Sequence, residues 1–121
     1  MRGRGDRPAR VAERIREELS VLLQRKVNDP GLSGVTITSV SITPDLKLAH
    51  VRWTALADEA ARKEVVRALR RAEGYLRREV GTALGLRSAP ELQFHYDDSY
   101  ERGARIDSLL RDISKEGGER E

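Results

Sequence analysis

The chain has 121 residues, of which 38% are hydrophobic and 36% charged, and its formal net charge is +3. This composition fits one domain with a small core and short tails. Because the sequence contains no cysteine, it excludes a disulfide framework, thiol chemistry and a cysteine zinc site. The basic start MRGRGDRPAR lacks the apolar stretch of a signal peptide, and no apolar run approaches the ~20 residues that span a bilayer. We therefore expect a soluble, cytoplasmic protein with no membrane partner.

The first predicted element is an amphipathic helix. Residues 1–6 are rich in glycine and arginine, and we expect them to be flexible. Pro8 suits the first turn of a helix. Apolar residues then recur at helical spacing as far as Leu23, which predicts a helix over residues 8–26. Asn28-Asp29-Pro30-Gly31 has strong turn chemistry and should end that helix.

A β-hairpin is predicted next. Dense β-branched residues in alternating order predict strands over residues 34–42 and 47–55, and the short turn Thr43-Pro44-Asp45 makes the pair antiparallel. Two sets of alternating residues should each share one face of the sheet: Val35, Ile37 and Ser39 in the first strand, and Ala49, Val51 and Trp53 in the second.

The region that follows is helical but interrupted. Asp58 suits its N-cap and Gly85 its C-cap. One face carries apolar residues at helical spacing: Val65, Leu69, Ala72, Leu76, Val80 and Leu84. Gly74 lies within this pattern, where it costs ~1 kcal/mol relative to alanine. We predict two short helices that meet in a kink at Ala72-Glu73-Gly74, with Gly74 leaving room for an arriving backbone.

The last predicted elements are a strand and a helix. Alternation predicts a strand over residues 91–96, and Asp97-Asp98-Ser99 is typical of a helix cap. A helix after Gly103 carries one apolar face, made of Ile106, Leu109, Leu110 and Ile113. This face either packs on the sheet or grips a protein partner. Residues 114–121 are charged, and we expect them to be disordered.

The order helix, strand, strand, kinked helix pair, strand, helix predicts an α+β fold. Its three-stranded sheet should have helices packed on one face. This is the element order of a type II KH domain, a nucleic-acid-binding fold, and the domain spans residues 7–113. A standard KH domain has a Gly-x-x-Gly loop where this chain has Ala72-Glu73-Gly74. The departure argues against capture of a single strand through that loop.

The sequence contains no recognisable catalytic constellation. His50 and His95 lie on predicted strands outside any metal-ligand spacing, and we expect both to face solvent or to play a structural role. The Asp97-Asp98 pair is explained more simply by a turn and cap than by a cation site. We expect no enzyme activity, no metal and no cofactor. Three aromatic residues are expected in the core: Trp53, Phe94 and Tyr96.

Basic charge is concentrated in residues 62–87. This segment holds eight arginine and lysine residues against three glutamates, a net charge of +5, compared with +3 for the whole chain. Arginine clustered along a helix is the electrostatic pattern of phosphate binding. A solvated helix face with a few ion pairs is the alternative interpretation.

Several sequence blocks occur in an order that is specific to one family. They are Val27-Asn28-Asp29-Pro30, Val35-Thr36-Ile37-Thr38, Thr43-Pro44-Asp45-Leu46, Ala72-Glu73-Gly74-Tyr75-Leu76-Arg77, Ala89-Pro90-Glu91-Leu92 and Phe94-His95-Tyr96-Asp97-Asp98-Ser99. With this order, residues 7–113 resemble the bacterial ribosome-binding factor A family.

The resemblance implies a type II KH fold whose Gly-x-x-Gly loop is replaced by an Ala-x-Gly kink, which Ala72 and Gly74 match. It also implies binding to the free small (30S) ribosomal subunit and its 16S rRNA during late assembly, a part in rRNA processing, and a role in growth at low temperature. Family members leave the subunit with the help of an assembly GTPase and are not catalytic.

The resulting hypothesis is a monomeric RNA-binding assembly factor. Its rRNA contacts are expected from seven arginines around the kink and beside it: Arg70, Arg71, Arg77, Arg78, Arg10, Arg14 and Arg87. The alternative is a protein-interaction module that uses the C-terminal amphipathic helix. An RNA hydrolase is a third interpretation, without a motif to support it.

Overall fold

The computed structural model describes residues 2–26 and 29–120. Helical segments and strands alternate along the chain as follows: α1 Arg2–Val21 with a π-helical continuation Leu22–Lys26, a 3₁₀ turn Pro30–Leu32, β1 Thr36–Ile42, β2 Leu48–Thr54, α2 Glu59–Leu84, β3 Glu91–Tyr96 and α3 Ser99–Arg120. The strands form one sheet in the order β1-β2-β3. In the described residues, no helix is both long and apolar enough to cross a membrane.

The sheet has one antiparallel and one parallel strand pair. β1 and β2 form the predicted antiparallel hairpin, and β3 pairs with β2 in parallel. The parallel pairing requires a crossover, and α2 supplies it. Ala49, Val51 and Trp53 are buried on one face, as their alternation predicts. The α+β, KH-like fold predicted from the sequence is therefore confirmed.

β1 departs from strict alternation through a β-bulge at Thr38. Ile37 lies opposite Trp53, but Ser39 lies opposite Arg52, so Thr38 is the extra residue. The prediction that Ser39 shares the face of Ile37 is therefore wrong, because the bulge turns Ser39 outward. Thr38 Oγ1 donates a hydrogen bond of 2.6 Å to Asp97 Oδ2 and so joins β1 to the end of β3.

The core lies between the sheet and two helices. α1 packs on β1, and α2 packs on α1 and β3. The most deeply buried large side chains come from α1, β2 and α2: Ile15, Leu19, Trp53, Leu69 and Leu76. Phe94 and Tyr96 are half-buried against them, and the Tyr96 ring meets Trp53 edge-on with centroids 5.0 Å apart. The predicted aromatic core is therefore confirmed for Trp53 and partly for its two neighbours.

The first helix begins earlier than predicted. α1 starts at Arg2 and contains Pro8, which removes one backbone hydrogen bond and is costly inside an α-helix. The flexibility of residues 1–6 stays a prediction. The described helical residues reach Lys26, the last residue before the gap at 27–28. Of the predicted turn, Asn28 lies outside the described residues, while Asp29 Oδ1 accepts a hydrogen bond of 2.9 Å from the Gly31 N–H.

The central helix is one continuous element and not two. α2 runs without interruption from Glu59 to Leu84, with the predicted caps at both ends. Asp58 Oδ1 accepts from the Ala61 N–H at 2.8 Å, and Gly85 takes the left-handed conformation at φ 65°. The predicted division at Ala72-Glu73-Gly74 is wrong, because α2 is continuous through these residues and its apolar face keeps Leu69, Ala72 and Leu76 in the core on both sides of Gly74. A bend at this point stays a prediction.

The C-terminal helix does not pack on the sheet. α3 starts at Ser99, where the Asp97 carboxylate accepts from the Ser99 N–H at 2.9 Å, so the predicted cap is confirmed. Hydrogen bonds from Ser99 and then from Thr38 lower the pKa of Asp97 to about 2. The apolar face of α3 is 55–64% exposed, because α1 and α2 already cover the inner face of the sheet. α3 continues to Arg120, past the predicted boundary at residue 113, and disorder of the tail stays a prediction.

Candidate nucleic-acid interface

The outer face of α2 presents an open pair of arginines. Arg70 and Arg78 are both exposed, and neither has a hydrogen-bond or ion-pair partner among the described residues. Their positions differ by eight residues, so they lie about 12 Å apart along the helix axis and about 80° apart around it. Two free guanidinium groups at this separation are available to phosphate oxygens. The two side chains therefore form the strongest part of the predicted RNA contact.

Gly74 lies midway between these arginines and leaves a gap in the helix surface. A Cβ built at Gly74 would meet only Arg78 Nη1, at an ordinary contact distance of 3.5 Å. No backbone arrives there, so the prediction that Gly74 makes room for another segment is wrong. Its lack of a side chain instead keeps the space between Arg70 and Arg78 open.

The close backbone approach occurs about two turns further along α2, at Gly81. This residue is buried, and a Cβ there would lie 3.0 Å from Ala89 Cβ and 3.5 Å from Ala89 Cα. Ala89 belongs to the loop that joins α2 to β3. The glycine that permits close packing is therefore the one nearer the C-terminal end of α2.

Arg71 is already paired within the protein. Its Nη2 lies 3.1 Å from Asp29 Oδ2 and 3.4 Å from Glu64 Oε1. The hydrogen bond to Asp29 is the main cause that raises the pKa of Arg71. The pairing ties α2 to the 3₁₀ turn that follows α1. Because two carboxylates offset its charge, Arg71 is a weaker candidate for phosphate than the sequence indicates.

Arg77 has a structural role, because it binds the loop between α2 and β3. Its half-buried side chain donates from Nε to Pro90 O and from Nη2 to Ala89 O, both at 3.1 Å. These carbonyls lie in the loop between α2 and β3, just before β3 begins. Arg77 thereby fastens this loop against the helix beside Gly81. Its expected role as a free rRNA contact is not supported by these bonds.

The remaining candidates lie on α1 and beyond the end of α2. Arg10 and Arg14 are exposed and one turn apart on α1, and Arg14 Nη2 makes a long hydrogen bond of 3.4 Å to Ala83 O. That carbonyl belongs to the last turn of α2, where positive charge is favoured by the helix dipole. Arg87 is exposed in the following loop. Arg14 and Arg87 are thus both placed at the C-terminal end of α2.

One basic residue near Arg87 was missed by the sequence reasoning. Lys47 is exposed at the start of β2, forty positions before Arg87 in the chain. The Glu91 N–H donates to Lys47 O at 2.8 Å as the parallel strands begin, and this pairing brings the two regions together. No local pattern could have revealed it, because it depends on strand order.

The two histidines lie on the open face of the sheet. His50 Nδ1 and His95 Nε2 are 3.1 Å apart, and both side chains are at least partly exposed. These positions agree with the prediction that each histidine faces solvent or plays a structural role. Within the part of the chain that the structure describes, no three histidine or acidic residues are grouped so that they could hold a metal ion.

Comparisons with known proteins agree on one family. The family model described as "Ribosome-binding factor A" matches residues 7–110. The ribosome-binding factor A of Pelobacter propionicus is 47% identical over 110 residues, which cover 91% of this chain and 90% of that protein. The crystal structure of ribosome-binding factor A from Thermus thermophilus is similar with a TM-score of 0.65 and 26% identity, covering 74% of this chain and 94% of that one.

A further similar structure belongs to the same family. It is a homology model of the Thermus thermophilus protein as fitted into the cryo-EM map of a complex with 30S, with a TM-score of 0.61 and 25% identity over 72% of this chain and 91% of that one. The family model covers most of this chain, and the sequence relatives match almost all of it. The chain therefore belongs to the ribosome-binding factor A family.

Proposed function

We propose that this protein is a ribosome assembly factor that binds the free 30S subunit through its 16S rRNA. The observation that carries this proposal is the pair Arg70 and Arg78, free and exposed on a continuous helix. The proposal is also supported by a relative that has been fitted into a 30S complex. Residues 62–87, most of which belong to α2, carry a net charge of +5. RNA phosphates are the partner that this charge suits.

The finer parts of the proposal follow from the family resemblance. Binding promotes late maturation of the subunit and processing of its rRNA in the cytoplasm, and it matters most for growth at low temperature. An assembly GTPase assists release. The protein acts by binding and has no catalytic step of its own. Its two free arginines are carried by one continuous helix, which fixes the spacing of their backbone positions, and this arrangement favours a folded RNA surface over a flexible single strand.

The salt dependence of binding tests this proposal. With contacts from Arg10, Arg70, Arg78 and Arg87, affinity for purified 30S subunits should fall roughly a hundredfold between about 50 and about 200 mM salt, because each neutralised phosphate releases counterions. The affinity at each salt concentration is measured by sedimenting the full-length protein through a sucrose cushion with 30S subunits. A parallel series uses 70S ribosomes. Absence of the protein from the 30S pellet at about 50 mM salt would contradict the proposal.

A second candidate function is favoured by the exposure of α3. Ile106, Leu109, Leu110 and Ile113 leave an apolar helix face open, which suits a protein-interaction module. Among the side chains of α3 that the structure describes, those of residues 99–113, hydrogen bonds and ion pairs to the body come from the first turn, where Glu101 accepts from the Tyr96 hydroxyl and lies 3.6 Å from Arg62 Nη1.

Substitution of this face separates the two functions. The change Leu109→Ser with Leu110→Ser should leave the fold intact, because both side chains are exposed. If arginines carry subunit binding, the variant should sediment with 30S within about twofold of the unchanged protein. A loss of tenfold or more would instead make the α3 face the primary contact. Sedimentation equilibrium on the same two proteins checks the expected monomer.

A further inference from the structure

A cavity of about 430 Å³ lies where three separate segments meet: the beginning of α1, the turn between β1 and β2, and the loop between α2 and β3. Two contacts assemble it. The Glu91 N–H donates to Lys47 O at 2.8 Å, and Arg77 holds the carbonyls of Ala89 and Pro90. The cavity therefore forms only when these segments pack together in the folded protein, and the hydrogen bonds hold the segments in place.

The charge of this cavity is positive. Four basic and two acidic residues line it: Arg7, Lys47, Arg77, Arg87, Asp45 and Glu91. The Asp45 carboxylate is engaged within its own turn, where it accepts from Thr43 Oγ1 at 2.6 Å and from the Lys47 N–H at 3.1 Å. Its Oδ1 thus already accepts two hydrogen bonds, and of the four basic residues only Arg77 is engaged, by the loop carbonyls, within the part of the chain that the structure describes. We call this cavity the basic pocket.

Free hydrogen-bond donors converge on the basic pocket. Arg7, Lys47 and Arg87 are exposed, and their side chains have no hydrogen-bond or ion-pair partner among the side chains that the structure describes, those of residues 7–25 and 29–113. The Ser88 hydroxyl and N–H likewise have no partner in that part of the chain. Guanidinium, ammonium, hydroxyl and amide donors together are the set that phosphate oxygens accept from. A phosphate is anionic and rich in hydrogen-bond acceptors, so it matches this lining better than a neutral or cationic ligand does.

We propose that the basic pocket binds the phosphate group of a nucleotide. Its volume accommodates a phosphate together with its sugar, within the ~300–1,000 Å³ of ordinary ligand sites. The phosphate belongs either to the backbone of folded RNA, in which case this inference rests on the proposed function, or to a free nucleotide. The basic pocket adds Arg7 and Lys47 to the RNA-facing residues and moves part of the contact from the middle of α2 to its C-terminal end.

Amide chemical shifts of the full-length, ¹⁵N-labelled protein test the basic pocket. The probes are adenosine 5′-monophosphate and a short RNA hairpin, each titrated separately. We expect the amides of Lys47, Arg87 and Ser88 to shift with at least one probe. Shifts that saturate with the mononucleotide identify a free-nucleotide site, and shifts with the hairpin alone identify backbone phosphate. No shift with either probe overturns the proposal.

The double change Lys47→Glu with Arg87→Glu provides the matching variant. Both side chains are exposed, so the fold should persist, and circular dichroism checks it. We expect the probe-induced shifts to vanish, whereas Arg111→Glu, an exposed arginine on α3, should retain them. Shifts that persist in the double variant overturn the proposal.

Subunit binding separates this inference from the proposed function. If the double variant sediments with 30S at least tenfold more weakly, the phosphate in the basic pocket is part of rRNA. If the unchanged protein binds 30S but the probes do not shift the pocket amides, the proposed function stands and the proposal that the basic pocket binds phosphate fails. If the mononucleotide shifts those amides while the protein does not bind 30S, the proposed function fails and the pocket stands as a nucleotide site.

Discussion

Replacing Arg70 and Arg78 together by glutamate is expected to weaken binding to 30S subunits roughly fiftyfold or more at about 0.1 M salt. Each lost phosphate contact removes almost tenfold in affinity at that salt concentration, and the new carboxylates add repulsion. The magnitude of the salt slope should also fall by about two. Both side chains are exposed and unpaired among the described residues, so we expect the free energy of unfolding to change little.

The measurement is a sedimentation titration of each variant against purified 30S subunits at several salt concentrations. Arg111→Glu is the charge-matched control for one reversal, and it should bind within about twofold of the unchanged protein. A double variant that binds as tightly as this control would show that the outer face of α2 does not contact the subunit.

Arg77 is unsuitable for this test, although the sequence places it beside Arg78. Its guanidinium holds two carbonyls of the loop that leads into β3. An Arg77→Glu change would release that loop and leave the carbonyls facing a carboxylate. Weaker binding of this variant would then have two explanations, a distorted fold or a lost rRNA contact, and the measurement would not separate them.

Gly81→Val is expected to lower the free energy of unfolding by about 1–3 kcal/mol, as overpacked core substitutions do. The Cβ alone would lie 3.0 Å from Ala89 Cβ, and valine adds two further carbons in a buried position. The loop between α2 and β3 would have to move away from the helix. Urea unfolding followed by circular dichroism measures the change.

Gly74→Ala is the matched substitution on the same helix and should act in the opposite direction. Its Cβ meets only the flexible end of Arg78, and alanine is favoured over glycine inside a helix by ~1 kcal/mol. We expect stability to rise by up to that amount. A clear loss of stability in Gly74→Ala would restore the predicted bend at this residue, and a neutral Gly81→Val would mean that the loop packs more loosely than the structure shows.

Gly74 and Gly81 have different surroundings in the structure, and the sequence pattern does not distinguish them. A glycine within a helical pattern is visible in the sequence, but the pattern is the same whether the space above it is empty or filled. Gly74 faces solvent, and Gly81 faces Ala89, because the loop returns to the sheet at the C-terminal end of α2. The path of that loop is decided by the parallel pairing of β2 with β3.

The sequence by itself determined the elements and their faces. The caps at Asp58 and Gly85, the hairpin, and the inward row Ala49, Val51 and Trp53 follow from periodicity and local hydrogen bonding, which neighbouring residues encode. It also identified the family, through blocks that span the chain. The sequence did not determine whether the apolar face of α3 is covered, because the spacing of its apolar residues does not specify a partner.

Only the tertiary structure decided which arginines are free. Arg70, Arg71, Arg77 and Arg78 look alike in sequence, yet Arg71 meets Asp29 from forty-two positions away and Arg77 meets two loop carbonyls. Such pairing depends on which segments the fold brings together, since a charge attracts any opposite charge within reach and sequence spacing does not fix that partner. The same reason hid the approach of Lys47 to Arg87, because the two regions meet only after the parallel sheet has formed.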